Sequence, residues 1–407
     1  MITYEEALRL LAEHIRPLGT ETVALDRLLG HVLAQDVTAK CDMPRFDNSA
    51  VDGYALSAED FATMQRGEVT LDLAGTVRAG EATCSLRPGE TVQVFTGAPI
   101  PEGTAAVVMQ EDAQQSEGRI RLTGHVREGQ HVRRRGEEFR EGDVVVPSGR
   151  RATPAVVGAV ASAGRHSVMV NRRPRVGVLV TGNELVLPGE TLRDGAIYDS
   201  NTPLLLSLLR SVGIQDALPM RCGDDRNATR AALEKLLAEC DAVITSGGVS
   251  VGAYDVVRLA LAALGVQEVF WRVAIKPGKP VYFGVATSDS PKYVFGLPGN
   301  PLSVAATFLT LVVPALGALE SGVVRNPFTL HARLAVPVQK KAGRLEFVPC
   351  MLRGDRLLTA QPIAERGSHM LGGFARANAL FLFPLDCDTL QEADEVVVSM
   401  LPWGVIE

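Results

Sequence analysis

The chain has 407 residues, more than one hydrophobic core usually supports, so about two to four domains are expected. With 46% hydrophobic, 22% charged and 5% aromatic residues it has the composition of a globular protein. The net charge of -6 argues against bulk nucleic-acid binding but leaves small anionic ligands open. The six cysteines (Cys41, Cys84, Cys222, Cys240, Cys350, Cys387) lack CxxC or Cys/His ligand spacing, which argues against structural zinc and fits reduced thiols in a cytoplasmic protein. The start has neither the basic nor the apolar region of a signal peptide. No apolar run reads as membrane-spanning: Leu309 to Leu319 is short and contains Pro314.

Thr3-Tyr4-Glu5-Glu6 is a capping box that opens an amphipathic helix to about Ile15. Residues 20–40 read as helix and strand pieces. From 41 to 150, short β-like runs (Val69–Gly75, Glu90–Thr96, Ala105–Met109, Arg119–Leu122, Asp143–Pro147) are separated by Gly- and Pro-bearing turns, as in an all-β insert. Ala152–Ala163 reads as helix. From Arg175 strands and helices alternate: strand Arg175–Val180, helix Pro203–Ser211, strand Ala217–Arg221, helix Ala228–Cys240, strand Ala242–Thr245 and helix Val256–Leu264. Strands near Val269–Val273, Pro280–Val285 and Tyr293–Phe295 and a helix Ser303–Leu311 follow. Such a series predicts a mostly parallel sheet with helices on both faces and ligands at the carboxyl ends of its strands. After about Ser321, short strands return (Phe328–Val336, Leu345–Leu352, Arg356–Ala360, Ala379–Phe383, Glu395–Leu401), predicting a small β-barrel or sandwich.

The segment from Thr245 to Asp255 carries the strongest chemical signal. Thr245, Ser246, Gly247, Gly248 and Ser250 lie between a strand and a helix, where glycines admit a phosphate and hydroxyls and the helix N-terminus add donors. Asp255 closes the segment, and an acid beside an anion site calls for a cation or ligand donor between them. Glu184, at the end of the first strand of the alternating series, is placed for a ligand, with helix capping as the competing reading. Of Asp224 and Asp225, the second reads as the cap of the helix starting near Ala228. Ile275–Pro280 holds Lys276 and Lys279 in a frame of prolines and glycine, either as a hairpin with solvated lysines or as a fixed cationic pair for an oxyanion. Phe295–Ser303 sets Pro298, Asn300, Pro301 and Ser303 between strand and helix, with Pro301 suited to the first helical turn. Phe46–Tyr54, containing Asp47 and Asp52, and Val94–Pro101, containing Thr96, read as polar and Pro-braced turns or as contributors to a site. The seven histidines show no metal-ligand spacing, and GxSxG, P-loop and GxGxxG motifs are absent. The remaining set of carboxylates, hydroxyls, glycines and lysines suits metal-assisted transfer at a phosphate or pyrophosphate without a protein nucleophile.

Eight runs in this order (Phe46–Tyr54, Thr96–Pro101, Arg133–Gly136, Thr181–Leu185, Asp199–Pro203, Thr245–Asp255, Ile275–Pro280, Gly296–Ser303) resemble the molybdopterin molybdenumtransferase family, which includes bacterial MoeA and the gephyrin E domain. The resemblance implies a multidomain α/β plus β protein: a discontinuous elongated stalk (1–40 and 148–172), an inserted β-rich domain (41–147), a central MogA/MoaB-like molybdopterin-binding α/β domain (173–320) and a C-terminal β-barrel (321–407). It also implies a homodimer whose cleft joins the α/β domain of one subunit to the inserted domain of the other, bringing in Asp52 and Thr96. The implied reaction inserts molybdenum from molybdate into adenylylated molybdopterin with magnesium-dependent release of AMP. By the same resemblance, Asp224, Asp255 and Glu184 would meet Mg²⁺ and pterin, Thr245, Ser246, Gly247, Gly248 and Ser250 would cradle phosphate, and Lys276 and Lys279 would attract molybdate. Arg344 and Ser368 of the C-terminal domain would line the oxyanion site, by similarity to plant members. Molybdopterin adenylyltransferase and downstream maturation factors are the implied partners. The chain departs from the family at Gly136-Glu137-Glu138, often Gly-Glu-Asp, and at Gly182-Asn183-Glu184, often Gly-Asp-Glu. The competing functions are molybdopterin adenylyl transfer and a non-catalytic scaffold of the gephyrin kind.

Overall fold

The computed structural model describes residues 1–248, 256–287, 290–354 and 356–406. They form two compact units, one of residues 1–20 and 171–406, the other of residues 21–170. The first unit begins with α1 (Tyr4–His14), where the Thr3 hydroxyl accepts the Glu6 N–H at 3.1 Å, the capping bond its sequence predicts. Its buried residues, Tyr4, Ala7 and Leu11, recur at helical spacing.

The sheet of this unit contains β1 (Val176–Thr181), β2 (Leu218–Cys222), β3 (Ala242–Ser246), β4 (Val266–Trp271), β5 (Tyr282–Ala286) and β6 (Lys292–Leu297), in the order β2-β1-β3-β6-β5-β4. The pairings among β2, β1, β3 and β6 are parallel, and β5 and β4 extend the sheet antiparallel. β1 is buried throughout and apolar up to Thr181 at its end, as befits a strand covered on both faces. Its Leu179 enters a core with Leu233 and Leu236 of α3 (Arg226–Glu239) and Val257 and Leu261 of α4 (Val256–Ala263). Val178 and Val180 face the opposite core, shared with α1, with α2 (Asn201–Ser211) and with the apolar helix that follows β6. The parallel register sets Thr181 opposite Cys222, Val180 opposite Ser246, and Ser246 opposite Leu297. The turns that follow these strand ends therefore share one edge of the sheet.

The helix after β6 corrects the sequence reading, which ended it near Leu311 and judged the run too short for a span. It continues from Pro301 to Ser321 as α5, 21 residues, and by length and composition could cross a membrane; 89% of its most apolar window is buried inside this protein. The run reads as interrupted because of Pro314, but the helix passes it by widening to π-helix over Phe308–Val312. Pro314 offers no N–H to the Thr310 carbonyl, and the Tyr4 hydroxyl donates to that oxygen instead, at 3.1 Å.

The C-terminal strands β7 (Leu330–Leu334), β8 (Leu345–Arg353), β9 (Thr359–Pro362), β10 (Ala379–Phe383) and β11 (Glu395–Met400) close into a barrel, because β8 pairs with both β9 and β10. Of the two architectures the sequence left open, the barrel is the one formed. A two-residue strand from the α/β part, Ile275–Lys276, joins β8 in parallel and sets Lys276 opposite Glu346.

The second unit holds a six-stranded sheet in the order Thr104–Met109, Gly53–Ser57, Glu90–Val94, Glu68–Val77, Arg119–Thr123, Ala113–Ser116. Gly53–Ser57 and the helix Ala58–Met64 escape the sequence reading. The strand is short and follows a polar run, and a seven-residue helix shows barely two turns of periodicity. A separate core in this unit gathers Leu28, Leu33, Val37, Val146, Val160 and Val170 around the helix Pro154–Ser162.

Candidate functional site

A cavity of about 700 Å³ opens at the carboxyl ends of β1, β3 and β6. Ser246, Gly247, Gly248, Pro298, Asn300, Pro301, Glu184 and Asp224 line it, from segments more than a hundred residues apart. Gly247 and Gly248 take left-handed backbone, with φ of 91° and 67°. A Cβ on Gly247 would lie 2.8 Å from the Thr181 carbonyl oxygen, and one on Gly248 would lie 2.4 Å from the Val257 side chain. Only glycine permits this turn to fold against β1 and α4. Thr245 lies fully buried beneath the turn, at 0% exposure. Asp255 and Ser250, assigned to the same segment, lie outside the described residues.

Asp224 and Asn183 hold two strand-end turns together by reciprocal bonds. The Asn183 N–H donates to Asp224 Oδ2 at 3.3 Å, and the Asp224 N–H donates to Asn183 Oδ1 at 3.1 Å. Asp225 instead accepts the Asn227 and Ala228 N–H groups at 3.0 and 2.8 Å, the capping role its sequence predicts. Burial pushes the nearby Cys222 thiol up, which favours its protonated form.

A second cavity, of about 710 Å³, shares Pro280, Pro298 and Asn300 with the first. Lys276, Lys279, Ser303, Arg344 and Ser368 line it. The Lys276 ammonium donates to Glu346 Oε2 at 3.1 Å, and the Glu346 side chain is only 3% exposed. Lys340 supports this wall: its Nζ donates to the Arg344 carbonyl at 2.7 Å and sits 4.9 Å from the centre of the Phe383 ring. Asn300 Nδ2 donates to the Ser368 hydroxyl at 3.1 Å, linking the cavity-lining turn after β6 to the segment before β10. The two cavities adjoin at their shared residues and make up a trough, with Glu184, Asp224 and the glycine turn lining the first and Lys276, Lys279 and Arg344, beside Glu346 and Glu365, lining the second.

Asp52 and Thr96 belong to the second unit, where the Thr96 N–H and hydroxyl both donate to Asp52 Oδ1 at 2.8 Å. These bonds hold the Asp52 carboxyl below the usual carboxylate range, so it is ionised at neutral pH.

Sequence reasoning assigned no role to Asn201, Glu346, His369 or Arg366, all of which line the trough. Asn201 falls within the run Asp199–Pro203, and a polar residue opening a helix one turn after a strand end was the available signal. Glu346 sits in an ordinary β-strand pattern, so only the pairing of Ile275–Lys276 with β8 reveals it. His369 and Arg366 lie in an irregular segment with no local pattern.

Family models match the chain in order: the MoeA N-terminal region (domain I and II) over residues 2–164, a probable molybdopterin binding domain over 177–318 and the MoeA C-terminal region (domain IV) over 331–401. The molybdopterin molybdenumtransferase of Haemophilus influenzae is 34% identical over 408 residues, covering 98% of each chain. Molybdopterin molybdenumtransferase 2 of Mycobacterium tuberculosis is 35% identical, covering 95% of this chain and 96% of that one. The crystal structure of the molybdopterin biosynthesis MoeA protein from Pyrococcus horikosii superposes with a TM-score of 0.79 at 32% identity, covering 100% of both chains. With near full-length agreement in sequence and in structure, this chain belongs to the molybdopterin molybdenumtransferase family, enzymes of molybdenum cofactor biosynthesis.

Proposed function

We propose that the protein transfers molybdenum from molybdate to adenylylated molybdopterin, with release of AMP. The observation that carries this reading is the pair of adjoining cavities, with the Gly247–Gly248 turn lining one and Lys276, Lys279 and Arg344 lining the other. A pyrophosphate linkage suits the Gly247–Gly248 turn, whose residues bring backbone close to the ligand. The ammonium and guanidinium groups suit a tetrahedral dianion. Glu346 holds Lys276 in place, so the cation is positioned before the oxyanion arrives. Ser246 and Asn300 fix the turns on which both ends depend.

Magnesium is the metal this reaction implies. The two carboxylates of the first cavity, Glu184 and Asp224, fit it, since Mg²⁺ binds through one or two carboxylates together with substrate phosphates. These two carboxylates would hold it, together with Asp255. Bound there, it would neutralise charge on the phosphates whose linkage is cleaved.

We infer that Asp52 and Thr96 act from a second subunit of a cytoplasmic homodimer, and that the four-domain division stated above organises the chain. The substrate would come from a molybdopterin adenylyltransferase and the product would pass to maturation factors, with neither membrane nor nucleic acid involved. Adenylyl transfer as the activity is disfavoured by the family regions flanking the molybdopterin-binding domain. A scaffold without catalysis is disfavoured by the carboxylates and lysines gathered in one trough. The test is AMP release from purified adenylylated molybdopterin, with and without molybdate and Mg²⁺. Release that needs both, and that falls in Lys279→Ala and in Asp52→Ala, is expected. Production of adenylylated molybdopterin from molybdopterin and ATP without molybdate would overturn the reading.

A further inference from the structure

The wall of the first cavity holds two polar atoms with no hydrogen-bond partner in the protein, Thr181 Oγ1 and Asn201 Oδ1. Their residues are 5% and 9% exposed. Buried polar atoms are almost always paired, and an unpaired one marks a place where something else supplies the partner. The orientation of the Asn201 amide follows from its other bonds. Its Nδ2 donates to Ser246 Oγ at 3.0 Å and to the Gly299 carbonyl at 2.7 Å, which uses both of its hydrogens. The nitrogen is thus identified by two acceptors, and the remaining oxygen is acceptor-only. Asn201 is the first residue of α2 and Thr181 the last of β1, so two independent elements contribute these residues to the wall of one cavity, each with its unpaired oxygen buried within that wall. Thr181 Oγ1 also lies under the glycine turn, 3.0 Å from where a Cβ on Gly247 would be.

We propose that Thr181 and Asn201 form a hydrogen-bonding pair that receives a neutral donor–acceptor group of the substrate. Asn201 Oδ1 accepts and the Thr181 hydroxyl gives or accepts. A phosphate fully ionised at neutral pH has no hydrogen to offer Asn201, so the pair recognises a different part of the ligand. The matching chemistry is a hydroxyl or an N–H/C=O edge. In the adenylylated substrate of the reading above, on which this inference rests, that means either the ribose hydroxyls or the amide edge of the pterin. The pair extends the cavity from a phosphate cradle to a site that reads the ring or sugar attached to the phosphate.

The test measures the affinities of AMP, molybdopterin and pyrophosphate for the wild-type protein, Thr181→Val and Thr181→Ser by calorimetry, with thermal melting in parallel. Thr181→Val removes a hydroxyl with no protein partner, so a melting temperature equal to or above wild type is expected. Affinity for AMP or molybdopterin should fall about five- to tenfold, with pyrophosphate unchanged and Thr181→Ser close to wild type. Loss confined to AMP identifies the ribose as the source, and loss confined to molybdopterin identifies the pterin edge. Unchanged affinity for both in Thr181→Val overturns the inference and leaves the reaction reading standing. Failure of wild type to bind either ligand overturns the reaction reading and the inference with it.

Discussion

Tyr4→Phe removes one oxygen and leaves the aromatic packing in place, with Phe347 at 5.3 Å and Phe328 at 6.4 Å between ring centroids. That oxygen donates to the Thr310 carbonyl, whose usual helical donor four residues on is Pro314, which has no N–H. Thr310 is 1% exposed and Tyr4 is 2% exposed, so water does not replace the bond. A buried carbonyl left unpaired costs about 1–3 kcal/mol, a large share of a stability of roughly 5–15 kcal/mol. Both tryptophans of the chain, Trp271 and Trp403, lie in the first unit, so their fluorescence during urea unfolding reports on the unit that carries the trough. The decisive control is Pro314→Ala, which supplies an N–H at the position that lacks one. In that background Tyr4→Phe should cost less than about 0.5 kcal/mol, because the carbonyl has a second donor. An equal cost in both backgrounds, or no cost in either, would refute the account of how α5 tolerates its proline. The consequence reaches the site, since the first turn of α5 carries Pro301 and Ser303 into the trough.

Gly247→Ala forces a side chain onto left-handed backbone and against the Thr181 carbonyl; it should cost at least about 1–2 kcal/mol and lower AMP release by as much as about a hundredfold, checked by melting and turnover together. Asp225→Ala should cost about 1 kcal/mol through loss of the α3 cap with turnover retained, whereas Asp224→Asn should abolish turnover in a protein of near-normal stability. Burial pushes the Asp241 carboxyl up, but Arg172 at 2.9 Å through both oxygens, the Arg175 N–H at 2.8 Å and Lys292 outweigh it and hold the group below its ordinary value. The stabilisation is therefore present above about pH 4 and lost as pH falls through the lower folded value. Asp241→Asn should flatten the acid limb of a stability–pH profile, and an unchanged limb would show that Asp241 is not its source.

Much of the fold is legible along the chain because its periods are local. The apolar run at Val176–Val180 bounded by Arg175 and Gly182, and the Thr3–Glu6 cap before an amphipathic stretch, are properties of neighbouring residues. The same holds for Gly247 and Gly248, whose tolerance of left-handed backbone comes from their own lack of a Cβ, and for Asp225, whose cap is two and three residues away. Less legible is α5, where Pro314 reads as a break until Tyr4, 306 residues away from Thr310, donates the missing bond.

The amino-acid order by itself determined which residues could handle an anion, and the order of eight motifs determined the family. It could not determine which of these residues share a cavity, since β1, β2, β3 and β6 bring their ends together only through parallel pairing across more than a hundred residues. Nor could it say what stands beside Lys276: the answer, Glu346, depends on a two-residue strand joining a barrel strand seventy residues further along the chain. The orphaned oxygen of Asn201 is likewise visible only after its nitrogen has found Ser246 and Gly299. Propensity and capping act over a few residues and are written in the chain, whereas pairing, burial and unmet hydrogen bonds are properties of surfaces that exist only once distant segments have met.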